Sequence, residues 1–285
     1  RSCTFYSLRV TVTPTNDDRA TRGGLSERES RALARLTVQN RDIFGIDELA
    51  EVLDTTYDAA KSTASRLERN GWLTRLKPGL YLVVPLAAGE RGQYTAHEFY
   101  IASHLAEPMY VGFWSALGFH GFTEQVPRSV FVATTKRLSD RTVHDVEYHF
   151  VTLAEGKFFG HEWYSVGGHS VPIANPEKTL VDCADQPRHC GGIRELAKGV
   201  RQGTDGYDPG TLVEYARRIG NGAAVKRLVY LMDHYDVPVP DRESVEDAFT
   251  SGTSPLDPTR SERGTYASEY RLYVNIPDEE LPEDA

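Results

Sequence analysis

Beyond residue 25 the apolar positions recur with a helical period. Ser26-Glu27-Arg28-Glu29 has the form of a capping box ahead of Leu33 and Leu36, which predicts a helix ending near Asn40. A short apolar link, Ile43-Phe44-Gly45-Ile46, leads to Asp47 as the cap of a second helix, Glu48 to Leu53, with Leu49, Val52 and Leu53 on one side. A third helix is expected from Asp54 or Thr55 to the Asn70-Gly71 pair, which suits a left-handed helix end. Its buried stripe is narrow: Ala60, Ala64 and Leu67 at i, i+4 and i+7. The period then changes. Trp72-Leu73-Thr74-Arg75-Leu76, Lys77-Pro78-Gly79 and Leu80-Tyr81-Leu82-Val83 read as strand, turn and strand. Three helices followed by a hairpin predict a winged helix-turn-helix over residues 25–84.

On either side the pattern is different. Residues 1–24 read as a disordered tail, and the alternation in Leu8-Arg9-Val10-Thr11-Val12 is expected to remain unpaired. Residues 85–93 read as a linker. An α+β domain is expected over residues 94–236, with a mixed sheet first and helices last. Its expected helices are Glu98 to Leu105, Phe113 to Phe119, Pro176 to Cys183, Gly192 to Arg201, Pro209 to Ile219 and Ala223 to His234. Asn175 is the expected cap of the third of these, with Pro176 at its first position. The expected strands are Ser129 to Thr134, Tyr148 to Thr152, Trp163 to Val166 and Val171 to Ala174. Residues 237–285 form an acidic, turn-rich extension, expected to be partly disordered, with one strand at Tyr270 to Ile276 and a disordered end from Pro277.

Charge sharpens this division. The chain of 285 residues has a formal net charge of −9, which taken alone argues against a nucleic-acid partner. Over residues 25–83, however, nine basic residues balance nine acidic ones, so the acidity lies elsewhere. Between Asp42 and Asp58 every charge is negative; from Lys61 to Lys77 five of six are positive. Those positives fall on the third helix and the hairpin, the elements that touch DNA in a winged helix-turn-helix. Thr55, Thr56, Tyr57, Lys61, Ser62 and Ser65 are placed to reach base edges, and Arg66, Arg69, Arg75 and Lys77 to hold phosphates.

Other chemistry is weakly signalled. Cys183 and Cys190 flank His189, but no second pair stands at zinc-ligand spacing; one buried and one loop cysteine are expected, with no metal or cofactor. Asp145, Glu147, Glu177 and Lys178 faintly suggest a metal-dependent nuclease, yet Glu177 and Lys178 fall in a first helical turn, where Glu suits the dipole and Lys is expected in solvent. His97, His104, His120, His144, His149, His161 and His169 accompany no nucleophile motif, so no catalytic residue is assigned and an enzyme is not expected. The block from Tyr110 to Phe122 is aromatic and reads as core. Three cysteines, the missing apolar run of a secretory signal and the missing membrane span predict a cytoplasmic chain with reduced thiols.

Several blocks in order carry a resemblance: Asn70-Gly71-Trp72-Leu73 through Pro78-Gly79-Leu80-Tyr81, then Tyr110 through Leu117, His120-Gly121-Phe122-Thr123-Glu124-Gln125, and Pro176-Glu177-Lys178-Thr179-Leu180-Val181-Asp182. Together, over about residues 25–234, they resemble the AbiEi family of antitoxins and transcriptional regulators of type IV toxin–antitoxin systems. The resemblance implies an autoregulating repressor that binds operator repeats in double-stranded DNA. It also implies a nucleotidyltransferase-like toxin, neutralised without a stable complex. Two other readings are carried beside it: a protein-interaction module that binds no DNA, and the nuclease.

Overall fold

In the computed structural model the described residues are 9–12, 22–85, 94–125, 128–143, 145–261 and 264–283. Capping sets the first helix, α1 (Glu27–Val38): the Ser26 hydroxyl accepts from the Glu29 N–H, and the Glu29 carboxylate accepts from the Ser26 N–H at 2.9 Å. The next segment, expected as a mere link, is strand β2 (Ile43–Gly45). Ile43 and Phe44 are both buried, and pairing with a later strand satisfies the backbone they take inside. Helix α2 (Ile46–Leu53) therefore starts before Asp47; Gly45 is its cap and donates its N–H to Glu48 Oε2 at 2.8 Å. Asp54 then turns left-handed at φ 47°, which delays α3 (Tyr57–Arg69) beyond its expected start and makes Thr56 its cap.

Strands β3 (Leu73–Lys77) and β4 (Leu80–Val83) form the expected hairpin, turning at Gly79 with φ +82°. With β2 they make an antiparallel sheet in the order β2-β4-β3. Leu33, Leu36, Phe44, Leu49, Ala60, Ala64, Leu67 and Tyr81 are buried together beneath the helices.

Two expectations about the N-terminal tail are corrected. Strand β1 (Arg9–Val12) pairs antiparallel with β5 (Tyr94–His97), a partner that local alternation cannot reveal. Gly23 exchanges bonds with the first unit: its N–H donates to Asn70 O at 3.1 Å, and Trp72 Nε1 donates to Gly23 O at 2.7 Å. The Arg22 guanidinium lies 4.6 Å from the Trp72 ring centre. The expected linker lies outside the described residues from residue 86 to 93.

The second unit is α+β. After α4 (Glu98–Leu105), β6 (Met109–Val111) and α5 (Phe113–Phe119) come β7 (Ser129–Thr134), β8 (Arg141–Val143), β9 (Val146–Thr152), β10 (His161–Val166) and β11 (His169–Ala174). They form a mixed sheet in the order β10-β11-β6-β7-β9-β8, parallel at β11–β6 and β7–β9. The three-residue β8 is too short to show a period in the sequence. Helices α6 (Pro176–Asp185), α7 (Ile193–Arg201), α8 (Pro209–Arg218) and α9 (Gly222–His234) follow, the first capped by Asn175, whose Oδ1 accepts from the Lys178 N–H at 2.9 Å.

The acidic extension departs most from expectation, because its described residues, 237–261 and 264–283, are folded. Helix α10 (Arg242–Glu246) precedes a small sheet of β12 (Ser254–Pro255), β13 (Thr265–Ala267) and β14 (Leu272–Val274). Leu256, Leu272, Ile276 and Leu281 are buried among the helices α6–α9. The Arg227 guanidinium of α9 donates to the carbonyls of Ala184, Pro255 and Leu256 at 2.9–3.2 Å, and the Tyr235 hydroxyl donates to Pro282 O at 3.1 Å. The acidic composition hides these sparse apolar anchors.

Finally, the two units share a core. Ile43, Leu76 and Leu82 are buried in the same cluster as Phe99, Tyr100, Leu105 and Tyr148.

Candidate nucleic-acid interface

Helix α3 has two unlike faces. Ala60, Ala64 and Leu67 are turned into the core, as their spacing predicts. Tyr57, Lys61, Ser62, Ser65, Arg66 and Arg69 are exposed, Tyr57 at 48%. Thr56 is exposed too, but its hydroxyl accepts from the Ala59 N–H at 3.4 Å as the helix cap, and Thr55 is half-buried before it. Ser62 Oγ donates to Asp58 O at 3.0 Å and Arg69 Nε to Ser65 O at 3.3 Å, so both side chains lie along the helix surface.

The four expected phosphate-holding residues divide. Arg75 is exposed on β3, opposite Tyr81 of β4. Arg69 is exposed, and among the described residues Lys61, Arg69 and Arg75 form no ion pair. Arg66 is half-exposed with its guanidinium 2.6 Å from the buried Glu29 carboxylate, which ties α3 to α1. Lys77 is turned away altogether: its ammonium donates to His104 O at 2.8 Å and Leu105 O at 3.3 Å, at the end of α4. Burial there, with the Arg141 charge nearby, lowers the pKa of Lys77.

Two supports of this face had no sequence signal. Tyr81 is buried in one core with Ala60, Ala64 and Leu67 of α3. Arg28 reaches from α1 to the carbonyls that end α2, donating to Asp54 O at 3.1 Å and to Leu53 O. Both join positions far apart along the chain, where periodicity carries no information.

The remaining candidates are drawn into structural roles. Cys183 is buried on α6, and Cys190 lies in a loop turn as expected but is buried there as well. Among the described residues no group of three His, Cys, Asp or Glu could hold a metal ion. Lys178, expected in solvent, is 0% exposed and ion-paired with Asp182. Its correction is geometric: the sheet and α8 cover the first turn of α6. Glu177 Oε1 accepts the Asp208 N–H at 2.8 Å, at the start of α8. Burial holds the imidazoles of His97 and His189 down at about 4 and lowers His104, His120, His161 and His169. His149 pairs with Asp140 at 2.7 Å; His144 lies outside the described residues. Tyr110, Phe113, Leu117 and Phe122 are core, as the aromatic block predicts. Among the described residues no helix is long and apolar enough to cross a membrane.

Residues 110–234 match the family described as AbiEi antitoxin C-terminal domain. No curated protein matches the chain. Among solved structures, the RV2827C protein from Mycobacterium tuberculosis is similar in fold, with a TM-score of 0.66 at 18% identity, covering 92% of this chain and 95% of that one.

Proposed function

Because residues 110–234 match the AbiEi antitoxin C-terminal domain, we propose that the chain is the antitoxin of a toxin–antitoxin pair and a DNA-binding repressor of its own operon. The first unit acts as a winged helix-turn-helix, with α3 as the recognition helix. The observation that carries this reading is the exposed face of α3: Thr56, Tyr57, Lys61, Ser62, Ser65 and Arg69 stand clear of the buried Ala60-Ala64-Leu67 stripe, with Arg75 exposed on the hairpin.

The chemistry suits a duplex. Thr, Ser and Lys side chains offer donors and acceptors to base edges in the major groove, and arginines hold phosphate oxygens in pairs. Tyr57 adds an apolar ring at the helix start, where a recognition helix meets the bases. Operator repeats in double-stranded DNA are the proposed target. The proposed second partner is a nucleotidyltransferase-like toxin, opposed in function and not held in a stable complex.

A mobility-shift assay with the DNA upstream of the chain's own gene tests the reading. A shift by the wild type that weakens at least tenfold in the Lys61→Ala, Arg75→Ala variant, which loses one base contact and one phosphate contact, supports it. Wild-type binding no tighter than to scrambled DNA overturns it.

A further inference from the structure

A hairpin that reaches over DNA as a free wing keeps its cations in solvent. Here the last residue of β3 does the opposite. Lys77 gives two of its three N–H donors to His104 O and Leu105 O, at 2.8 and 3.3 Å. These carbonyls close α4, where a helix leaves its last C=O groups without internal partners and its dipole is negative. An ammonium is the natural group to satisfy them.

Two further contacts run along the same seam. The Asp42 carboxylate faces His169 Nε2 at 3.8 Å, and the His169 ring lies flat on Tyr100 of α4, with centres 3.6 Å apart and planes 12° apart. Asp42 also accepts the Val83 N–H on its backbone carbonyl at 2.7 Å, so the carboxylate-bearing residue is fixed to the hairpin. Beneath these polar contacts lie Ile43, Leu76 and Leu82, in one cluster with the second unit.

We propose that Lys77 is a positioning residue: it clamps the β3–β4 hairpin onto the end of α4, so that both units present the α3 face to DNA as one rigid body. The proposal rests on the DNA-binding reading and assigns Lys77 a different part in it from a phosphate contact. A clamped module has already lost its freedom to swing before it meets the operator. A released one loses that freedom on binding and holds DNA less tightly.

The two roles differ in a measurable way. A phosphate contact releases counterions, so losing it flattens the dependence of log K on log salt by about 0.9. A positioning residue lowers affinity and leaves that slope alone. Lys77→Met, which keeps the aliphatic stem, is expected to weaken operator binding by about three- to tenfold at an unchanged slope. Lys77→Arg, which restores a donor, is expected to recover most of it.

A second readout needs no DNA. Spin labels at Val38→Cys and Glu155→Cys, in a Cys3→Ser background, report the distance between the units. The expected result is one narrow distribution in the parent that broadens with Lys77→Met and narrows again with Lys77→Arg. An unbroadened distribution, or a slope that falls by about 0.9, overturns the proposal. If the parent binds no DNA, the functional reading fails, and the distance measurement still decides whether Lys77 clamps the units.

Discussion

Tyr110 donates its phenol proton to Asp182 Oδ2 at 2.7 Å, across 72 residues of sequence and out of reach of water. The same carboxylate holds the buried ammonium of Lys178 one helical turn earlier. Burial pushes the Asp182 carboxyl up, opposed by the Lys178 charge and by hydrogen bonds from Lys178 and Tyr110. The phenol of Tyr110 is pushed well up, by burial first and by Asp182 second. Strand β6 and helix α6 are thereby joined, and the Lys178 ammonium is held inside the fold.

Removing one member leaves a charge stranded. Asp182→Ala is expected to cost about 3–5 kcal/mol, because the Lys178 ammonium stays buried without its partner. Tyr110→Phe is expected to cost about 1 kcal/mol for one lost hydrogen bond. Urea unfolding measures both; equal costs for the two variants would contradict the pairing.

Gly160 permits that cluster. Its φ is +67°, and a Cβ there would stand 2.8 Å from the Tyr215 ring and 2.9 Å from Lys178 Cβ. Gly160→Ala is therefore expected to destabilise by about 1–3 kcal/mol, from strain and overpacking together. An unchanged thermal midpoint would show that the segment before Asn175 gives way freely.

Stability should depend on pH through Glu98. This carboxyl is buried at the start of α4, and burial raises its pKa to about 7. Neighbouring His97 accepts the Phe99 N–H on Nδ1 at 3.2 Å, which fixes it as the neutral ring and offers Glu98 no cation. A carboxyl raised in the folded state stabilises the fold only while protonated, so its contribution falls as pH climbs from about 4.5 to about 7. His97, held at about 4, works the other way: stability rises from about 4 to about 6.5 as the unfolded chain loses its proton. Over their shared range the two offset each other. Glu98→Gln removes one side, so its stability relative to wild type is expected to grow by about 2–3 kcal/mol between pH 5 and 8. Urea midpoints that move in parallel across this range would contradict it.

Much of the fold was legible because it is local. Helix α4 and strand β7 have the expected bounds, the Ser26 and Asn175 caps are where the sequence signals place them, and the Ala60-Ala64-Leu67 stripe is buried. What local pattern concealed were partnerships over distance. Strand β1 is seen only beside β5, β2 only beside β4, and Lys77 changes meaning only once α4 lies next to it. Lys178 departs from expectation for the same reason: a first helical turn is ordinarily wet, unless a sheet and another helix cover it.

Leu281 stands among acids and prolines but is 3% exposed in the helical core. Leu281→Ala is expected to cost about 2–3 kcal/mol in thermal or urea unfolding, as a buried leucine does. A disordered end would leave stability unchanged.

The exposed face of α3 and Arg75 is what the functional account depends on, and the salt dependence of DNA binding tests it most directly. Fluorescence anisotropy with the upstream DNA, repeated over a range of salt concentrations, should give tight binding whose log K falls linearly with log salt. Arg69→Ala and Arg75→Ala should each flatten that slope by about 0.9, one phosphate apiece. Slopes that match the wild type in both variants, or no preference for the upstream DNA over a scrambled duplex, would contradict the account.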